Sequence, residues 1–405
     1  MKKETKKAPI IRFRGFTDDW EQRKLGEIFT ERSEKKHEYL PPLTIVQGRG
    51  TVRRDEMDRE LIYDKSSLSN YKLVKKNDFI VHLRSFEGGL EKSNIEGIVS
   101  PAYHIFHSDK INTEFYYSFF RSNDFINHKL VPFVYGIRDG RSIDIAGMKT
   151  IKIPYPSVNE QNRIGTLICQ LNSLVALHQR KLDQLKKLKK YFLQNMFPAK
   201  GEKVPRIRFK GFTDDWEQRK VTELGYIYIG LVTTMTSHYS NHGTLLIRNS
   251  DIKDSCFEFD KKPIFLDEEF AKQNASRRHQ VGDVITVHTG DIGTSAVITE
   301  KEEGSIGFAT IITRPYKEKI TSEYLCTYLN TDTHKNFALN ISTGDGRNNY
   351  NLKDYYECVV PVPRIKEQIK IADFINALNN LITLHQQKLN QLQTMKKFML
   401  QNLFI

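Results

Sequence analysis

One string of ten residues, GFTDDWEQRK, occurs twice in this chain, at residues 15–24 and again at residues 211–220. Ten identical residues do not recur by chance, and self-similarity at a fixed offset is the signature of a duplicated structural unit. The two copies lie 196 residues apart, which is too far for a short solenoid repeat. The chain therefore contains two large units built on one frame.

A second pair of matching segments closes each unit. SVNEQNRIGTLICQLNSLVALHQRKLDQLKKLKKYFLQNMF begins at Ser157, and RIKEQIKIADFINALNNLITLHQQKLNQLQTMKKFMLQNLF begins at Arg364. Glu160 aligns with Glu367 at an offset of 207, so the second unit is 11 residues longer between its framing segments (207 − 196). The frame is shared, whereas the sequence between the framing segments differs almost throughout.

The two bodies between these segments, residues 20–153 and 216–360, have the pattern of mixed α/β domains. Runs such as DFIVHL, GIVSPAYHIF, DVITVHT and FATIITR are rich in β-branched and aromatic residues and are bounded by turn residues, which predicts strands. TEFYYSFFRS and SEYLCTYLNT have apolar residues on one face and predict short helices.

Each closing segment predicts one long helix, the first from about Glu160 to Phe197 and the second from near Glu367. Ser157 and Glu160 have the spacing of a capping box at the start of the first helix. Both helices have an apolar stripe with a seven-residue period, which normally packs against another helix. A helix of 38 residues spans about 57 Å, more than the width of one small domain.

Two equal helices of this kind most economically pack on each other, and the alternative is that each packs on its own body. We predict an α+β fold with a pseudo-twofold repeat, in which two mixed α/β domains are separated by two long helices packed as an antiparallel coiled coil. A symmetric register would place His178 beside His385. The predicted boundaries are residues 1–156 for the first domain, 157–200 for its helix, 201–363 for the second domain and 364–405 for the distal helix.

The charge balance favours a partner that bears phosphates. Lys and Arg number 62 against 49 Asp and Glu, so the formal net charge is +13 and the isoelectric point about 9.3. This predicts nucleic acid first and an anionic membrane second. No apolar run approaches the roughly 20 residues of a membrane span, and the N-terminus lacks the apolar stretch of a signal peptide, so we expect a cytoplasmic protein. The four cysteines have neither zinc-ligand nor disulfide-framework spacing.

The motifs of the chain resemble a known family, the DNA specificity subunits of type I restriction–modification systems. In the second body QVGDVITVHTGDIGTSAVI, GFATIITRPYKEKITSEYLCTYLN and STGDGRNNYNLKDYYECVVPVPRIKEQIKIADFI are similar to successive signatures of that family. In the first body LSNYKLVKKNDFIVHLRS and EGIVSPAYHIFHS resemble a subtype of the same domain, and DWEQRKLGEI and DWEQRKVTEL resemble domain openings. One departure is FIVHLRSFEGG in the first body, where the second has VITVHTGDIG.

The resemblance implies a non-catalytic subunit with two target-recognition domains that binds double-stranded DNA, two methyltransferase subunits and the restriction (translocase–nuclease) subunit. S-adenosylmethionine, ATP and magnesium would belong to those partners, and no cofactor or metal is expected in this chain. The sequence agrees with this implication, because it lacks a Gly-Lys dipeptide, and hence a P-loop, and the Asn/Asp-Pro-Pro-aromatic tetrapeptide of amino-methyltransferases.

Because the frame is symmetric and the bodies differ, we expect an asymmetric bipartite DNA site with half-sites about one helical turn apart, roughly 34–36 Å. Two other functions fit the same residues: a stand-alone sequence-specific DNA-binding regulator, and a coiled-coil scaffold that organises proteins. Co-purification of a methyltransferase would distinguish a specificity subunit from a stand-alone regulator. Salt-dependent DNA binding would exclude the scaffold.

Candidate DNA-contacting residues are polar or cationic and fall in predicted loops. An Asp-Gly-Arg triplet occurs at residues 139–141 and again at 345–347, where glycine allows close approach and arginine can bind guanine or phosphate. The alternative for each triplet is a surface turn with a solvated arginine. The candidates in the first body are Arg49, Arg53, His82, Arg84, Ser85, Arg138 and Arg141. Those in the second body are Arg248, Asn249, His288, Thr289, Arg347, Asn348 and Asn349.

Overall fold

The computed structural model of the chain describes residues 8–57, 65–136, 141–199, 201–342 and 348–404. The chain divides into two compact units. Unit 1 combines Met1–His178 with Lys388–Ile405, and unit 2 is Gln179–Gln387. Each unit contains one body and a part of both long helices. No helix in the described ranges is long and apolar enough to cross a membrane.

Unit 1 is a mixed α/β body whose strands are mostly three or four residues long. Its strands are β1 (Glu21–Lys24), β2 (Thr30–Arg32), β3 (Leu43–Val46), β4 (Gly50–Arg53), β5 (Lys72–Val74), β6 (Phe79–Val81), β7 (Glu91–Lys92), β8 (Gly97–Val99), β9 (His104–His107), β10 (Val134–Tyr135), β11 (Ser142–Ile143) and β12 (Lys152–Tyr155). Its helices are α1 (Leu25–Ile28), α2 (Ser85–Gly88), α3 (Thr113–Phe120), α4 (Ile145–Lys149) and the first part of α5 (Val158–Asn195).

Unit 2 is also a mixed α/β body. Its strands are β13 (Glu217–Lys220), β14 (Gly225–Ile229), β15 (Tyr239–Ser240), β16 (Thr244–Arg248), β17 (Ile252–Lys253), β18 (Cys256–Phe257), β19 (Phe265–Leu266), β20 (Val284–Val287), β21 (Ser295–Val297), β22 (Ile306–Phe308), β23 (Thr310–Pro315) and β24 (Val359–Val362). Its helices are α6 (Glu268–Gln273), α7 (Ser322–Leu329), α8 (Asp332–Ile341), α9 (Leu352–Tyr356) and the first part of α10 (Ile365–Asn402).

The predicted strands and short helices are present, with one difference. GIVSPAYHIF forms two strands, β8 and β9, because Pro101 in the turn between them cannot donate a ladder hydrogen bond. The antiparallel four-stranded sheet of unit 1 has the order β2-β9-β6-β7, and that of unit 2 has the equivalent order β14-β23-β20-β21. The two bodies therefore each contain a sheet of the same topology, although their sequences differ.

The repeated string forms the frame of each unit. Its last four residues make β1 and β13, which pair antiparallel with β12 and β24, the strands that lead into the long helices. Its tryptophans, Trp20 and Trp216, are buried in the two main cores. Identical sequence at these positions thus corresponds to identical packing against equivalent strands.

Two buried ion pairs close the frame. Arg12 donates Nε and Nη2 hydrogen bonds of 2.7 and 2.9 Å to Glu160, and Arg208 makes the same two bonds to Glu367. The Ser157 hydroxyl accepts from the Glu160 amide at 3.3 Å, as predicted for a helix cap. The Glu160 carboxylate, however, does not complete a capping box, because Arg12 and the Trp20 indole N–H, at 3.0 Å, occupy it.

Helices α5 and α10 are each 38 residues long, and in each unit a segment of one packs close to a segment of the other. In unit 2, Leu185 of α5 clusters with Ile375 and Leu378 of α10, and the rings of Phe192 and Phe374 meet edge to face at 4.7 Å. The later part of α5 therefore packs on the early part of α10, and the antiparallel coiled coil stays a prediction. His178 and His385 belong to different units, and their register stays a prediction.

In each unit the C-terminal end of a long helix, α10 in unit 1 and α5 in unit 2, contacts the segment that precedes the repeated string. The Ile207 amide donates to the Asn195 carbonyl at 2.9 Å, and the Ile11 amide donates to the Asn402 carbonyl at 3.0 Å. The repeat predicts this equivalence, because a pseudo-dyad maps the junction between the units onto the two ends of the chain, and both hydrogen bonds agree with it. Each compact unit therefore includes the far end of the helix that follows the other body, and the domain boundaries stay a prediction.

Candidate nucleic-acid interface

Equivalent loops of the two sheets contain five of the fourteen predicted DNA-contacting residues. The β6–β7 loop is residues 82–90, and the β20–β21 loop is residues 288–294. His82 and His288 are the first residues after β6 and β20 and lie 206 residues apart, the same offset as between the two Asp-Gly-Arg triplets. The segments FIVHLRSFEGG and VITVHTGDIG are therefore structural equivalents, which their sequences alone did not show.

In unit 1 the chain at Arg141 lies beside the β6–β7 loop. The Arg141 guanidinium stacks over the Phe86 ring, 5.3 Å from its centroid. Arg84 is exposed in the same loop, and Arg49 is exposed in the turn between β3 and β4. The fold thus places predicted cations from separate parts of the sequence on the loops of one body. Their contact with DNA stays a prediction.

Two other predicted residues of this loop have structural roles. Ser85 is fully buried, and its hydroxyl accepts a 2.9 Å hydrogen bond from the His82 amide. A side chain without exposed surface cannot touch DNA, so the prediction for Ser85 is wrong in this conformation. His82 is half-buried, and burial lowers the pKa of its imidazole, which is therefore neutral at pH 7. His82 can donate or accept a hydrogen bond but contributes no charge.

In unit 2 four predicted residues form one hydrogen-bonded network. The His288 amide donates to Asn249 Oδ1 at 2.9 Å, and the His288 imidazole Nδ1 lies 2.7 Å from the Thr289 hydroxyl. The Thr289 hydroxyl in turn donates to Asn349 Oδ1 at 2.9 Å. Burial lowers the pKa of His288, so this network is uncharged at neutral pH. It joins the β20–β21 loop to the chain that follows the second triplet.

Three predicted residues are occupied by contacts within the protein. Asn249 also donates to the Ala309 carbonyl at 3.0 Å, so both ends of its amide are used and it positions the network rather than reading DNA. Arg248 makes hydrogen bonds of 2.7 to 3.0 Å with Asp251 and Asp260, which raise its pKa and neutralise its charge. Arg53 makes a bidentate pair with Asp55, but that pair is exposed and therefore weak.

The remaining predicted residues are Asn348, which is exposed, and Arg138 and Arg347, which lie outside the described residues together with most of both triplets. Sequence reasoning missed Gln47, which is exposed beside Arg49 at the tip of the β3–β4 turn and lies against the β6–β7 loop. Its only sequence signal is its place before Gly48 between two β-rich runs, which predicts a hairpin tip.

The two candidate surfaces differ in chemistry. The unit 1 loops expose Arg49, Arg84 and Arg141, whereas the unit 2 network is made of amide, hydroxyl and neutral imidazole groups. Arginine forks onto guanine or phosphate, and asparagine matches adenine. The described residues of the two loops therefore differ in chemistry, and Arg347, the counterpart of Arg141, lies outside the described residues. Across the described ranges, no three His, Cys, Asp or Glu side chains are grouped as metal ligands.

Comparison with known proteins agrees with this architecture. The MjaVIII type I restriction enzyme specificity subunit of Methanocaldococcus jannaschii is 22% identical over 265 residues, 63% of this chain and 61% of that protein. A second protein of that organism, named provisionally as the MjaX type I restriction enzyme specificity subunit, is 22% identical over 410 residues, 94% of this chain and 91% of that protein. The chain thus spans less than two thirds of the first relative and most of the second.

Two solved structures show the same fold. The S subunit of a type I restriction–modification system from M. genitalium has a TM-score of 0.60 at 13% identity and covers 98% of this chain and 99% of its own. A chain from work on complex assembly and conformational transition of the type I system has a TM-score of 0.51 at 17% identity, covering 94% and 96%. Residues 17–187 and 213–394 each match the model of the type I restriction modification DNA specificity domain. The chain therefore belongs to the family of type I restriction–modification DNA specificity subunits.

Proposed function

We propose that this chain reads an asymmetric bipartite DNA sequence, one block with each unit, and positions two methyltransferase subunits and the restriction subunit on it. The observation that carries this proposal is the pair of equivalent loops, β6–β7 and β20–β21, which have the same place in the sheet and different side chains. A duplicated frame with identical loops would read a palindrome, whereas different loops read two different blocks.

The residues divide into two kinds of contact. Lysines and arginines provide most of the affinity through phosphates, and this part is independent of sequence and sensitive to salt. Sequence is read by groups that reach base edges in the major groove. On this basis Arg49, Arg84 and Arg141 of unit 1 and Thr289, Asn348 and Asn349 of unit 2 are the candidates for base or phosphate contacts.

Exposed apolar residues on the long helices support the binding of two partner subunits. Leu174, Leu177, Leu188 and Tyr191 of α5 are exposed, and so are Leu381, Leu384, Met395 and Phe398, their equivalents in α10 at an offset of 207. Single exposed apolar residues are ordinary, but four matched pairs of them indicate a duplicated protein-binding surface. Each unit has two from each helix. We assign these sets, the unit 1 patch and the unit 2 patch, to one methyltransferase subunit each.

In this proposal the chain itself has no catalytic role. S-adenosylmethionine would be bound by the methyltransferase subunits, and ATP and magnesium by the restriction subunit. The specificity subunit contributes the geometry, because it fixes where on the DNA each methyltransferase is held. A stand-alone DNA-binding regulator would need no such duplicated apolar patches, and this observation favours the specificity subunit over that alternative.

Methylome sequencing of a host that expresses the chain with its methyltransferase subunit tests the proposal. We expect a motif of two different short blocks separated by a non-specific spacer of about 6 to 8 base pairs, as follows from block centres about one helical turn apart. The same host without this chain is the control and should lack the motif. A continuous palindromic motif would contradict the proposal.

A further inference from the structure

We propose that Gln47 reads a base in the DNA block bound by unit 1, and that the buried Glu91 holds it in place. The inference rests on the proposed function and deepens it, because it names a reading residue and the class of base edge that it takes. The side-chain amide of glutamine presents a donor next to an acceptor, the pattern complementary to N7 and the N6 amino group of adenine in the major groove.

The turn that presents Gln47 is fixed by hydrogen bonds at each step. The Gly48 amide donates to Glu91 Oε1 at 2.8 Å, and Asn94 Nδ2 donates to the Arg49 carbonyl at 2.6 Å. The Arg49 amide closes the turn on Val46 at 2.9 Å. Gly48 has φ of 81°, a left-handed conformation that favours glycine. The backbone of the tip is thus held in one conformation before any DNA is bound.

Glu91 is the anchor of this turn. Its side chain has no exposed surface, yet both of its oxygens have partners. Oε1 accepts from the Gly48 amide and the Arg121 guanidinium, and Oε2 accepts from the Tyr117 hydroxyl at 2.9 Å. A buried carboxylate with three donors is an expensive arrangement to lose, because any donor left unpaired stays desolvated. Glu91 does not reach the surface, so it acts as a positioning residue.

The side-chain amide of Gln47 occupies the space that a side chain at Gly88 would fill. A Cβ atom added to Gly88 would lie 1.5 Å from Gln47 Nε2 and 2.4 Å from Cδ, so only glycine leaves room for the amide there. Gln47 is exposed, and within the described residues neither atom of its amide has a hydrogen-bond partner. The amide therefore lies against Gly88 at the surface, where it can pair with another molecule.

A neutral amide indicates a base contact rather than a phosphate contact. Binding to phosphates is driven by charge, and Arg49 and Arg84 on the same loops already supply it. An amide adds little to that attraction, but it discriminates between base pairs when both of its atoms are matched. A fixed backbone that presents an exposed amide beside Gly88 suits base reading.

Gln47→Ala in the complex with the methyltransferase subunit tests the inference. The probes are duplexes that contain the motif found by methylome sequencing, with each base pair of the two blocks varied in turn. We expect the preference for one A·T pair in the unit 1 block to fall by about 5- to 150-fold, the range of one bidentate contact, with every other position unchanged. Gln22→Ala, an exposed glutamine in β1, is the matched control and should leave all positions unchanged.

Two further variants test how Gln47 is held. Gly88→Ala should displace the amide, and Glu91→Gln should loosen the turn, so both should relax the same base pair as Gln47→Ala. A purely structural role of Glu91 would lower the melting temperature without changing preference at that one position. Relaxation by Gln47→Ala but not by Glu91→Gln would overturn the positioning role of Glu91.

The remaining outcomes separate this inference from the proposed function. If the unmodified complex gives no bipartite motif, the proposed function fails. If the motif is bipartite and Gln47→Ala leaves discrimination intact at every position, Gln47 does not read a base. Equal weakening on all duplexes would also overturn the inference, because that is the result expected of a phosphate contact or of general damage to the loop.

Discussion

Glu160→Ala is expected to lower the free energy of unfolding of unit 1 by about 3–5 kcal/mol, the cost of removing one member of a buried ion pair. The Glu160 carboxylate is 2% exposed and accepts two hydrogen bonds from Arg12 and one from the Trp20 indole. Its loss leaves the Arg12 guanidinium, only 14% exposed, without its hydrogen-bonded partner and with only the weaker attraction of Asp18 and Asp19. It also separates the segment before the first copy of the repeated string from the start of α5.

Glu367→Ala is the matched variant in unit 2, where Arg208 makes the same bidentate pair. The Trp216 indole N–H has no hydrogen-bond partner among the described residues, so this carboxylate has one contact fewer. We therefore expect the Glu367 variant to lose less stability, by about 1 kcal/mol, the net value of one hydrogen bond. Urea unfolding monitored at each tryptophan measures both losses. A loss below about 1 kcal/mol in both variants would show that these pairs do not hold the frame.

A charge placed in the apolar patches is expected to abolish methyltransferase binding one subunit at a time. Leu177 and Phe398 of the unit 1 patch are 57% and 52% exposed, so replacing both with Glu does not disturb the core. Burying an unpaired carboxylate in an interface costs at least about 2 kcal/mol, which weakens binding by about 30-fold or more. Tyr191→Glu with Leu384→Glu is the equivalent double variant of the unit 2 patch, at an offset of 207.

Native mass spectrometry of the co-expressed complex measures how many methyltransferase subunits each variant binds. The unmodified chain should bind two methyltransferase subunits, either double variant one, and the quadruple variant none. Asn172→Glu, an exposed residue on the opposite face of α5, is the control and should retain both subunits. Two subunits bound to the quadruple variant would show that the methyltransferase docks elsewhere.

The parts of the architecture that occur twice could be predicted from the sequence. The string at residues 15–24 and the heptad stripe of the long helices are periodic signals, and both correspond to the shared frame. What the pattern did not predict is which side chains of the far helix end enter a body's core, for example Leu403 in unit 1. That contact is distant in sequence and has no local signal.

The candidate site was predictable only by residue type and loop position. Arg141 was predicted only as a loop residue, and its stacking on Phe86 of the β6–β7 loop depends on the tertiary fold. Ser85 and Arg248 were chosen because polar loop residues often contact DNA, yet one caps a turn and the other pairs with Asp251. Gln47 was missed because its amide lies beside Gly88 only in the folded protein, where the β3–β4 turn meets the β6–β7 loop. Hydrogen-bond partners, not residue type, decide which loop residues are available to DNA.

The central claim is that each body reads its own block, and making the two bodies identical tests it most directly. In such a chain residues 20–153 are replaced by a second copy of residues 216–360, so that both junctions fall in matching sequence at the repeated string and before the proline of β12 or β24. Methylome sequencing with the methyltransferase subunit should then give an interrupted palindrome, in which the unit 2 block occurs twice in inverted orientation and the unit 1 block is gone. A folded, methylating complex that still recognised the original unit 1 block would contradict the account.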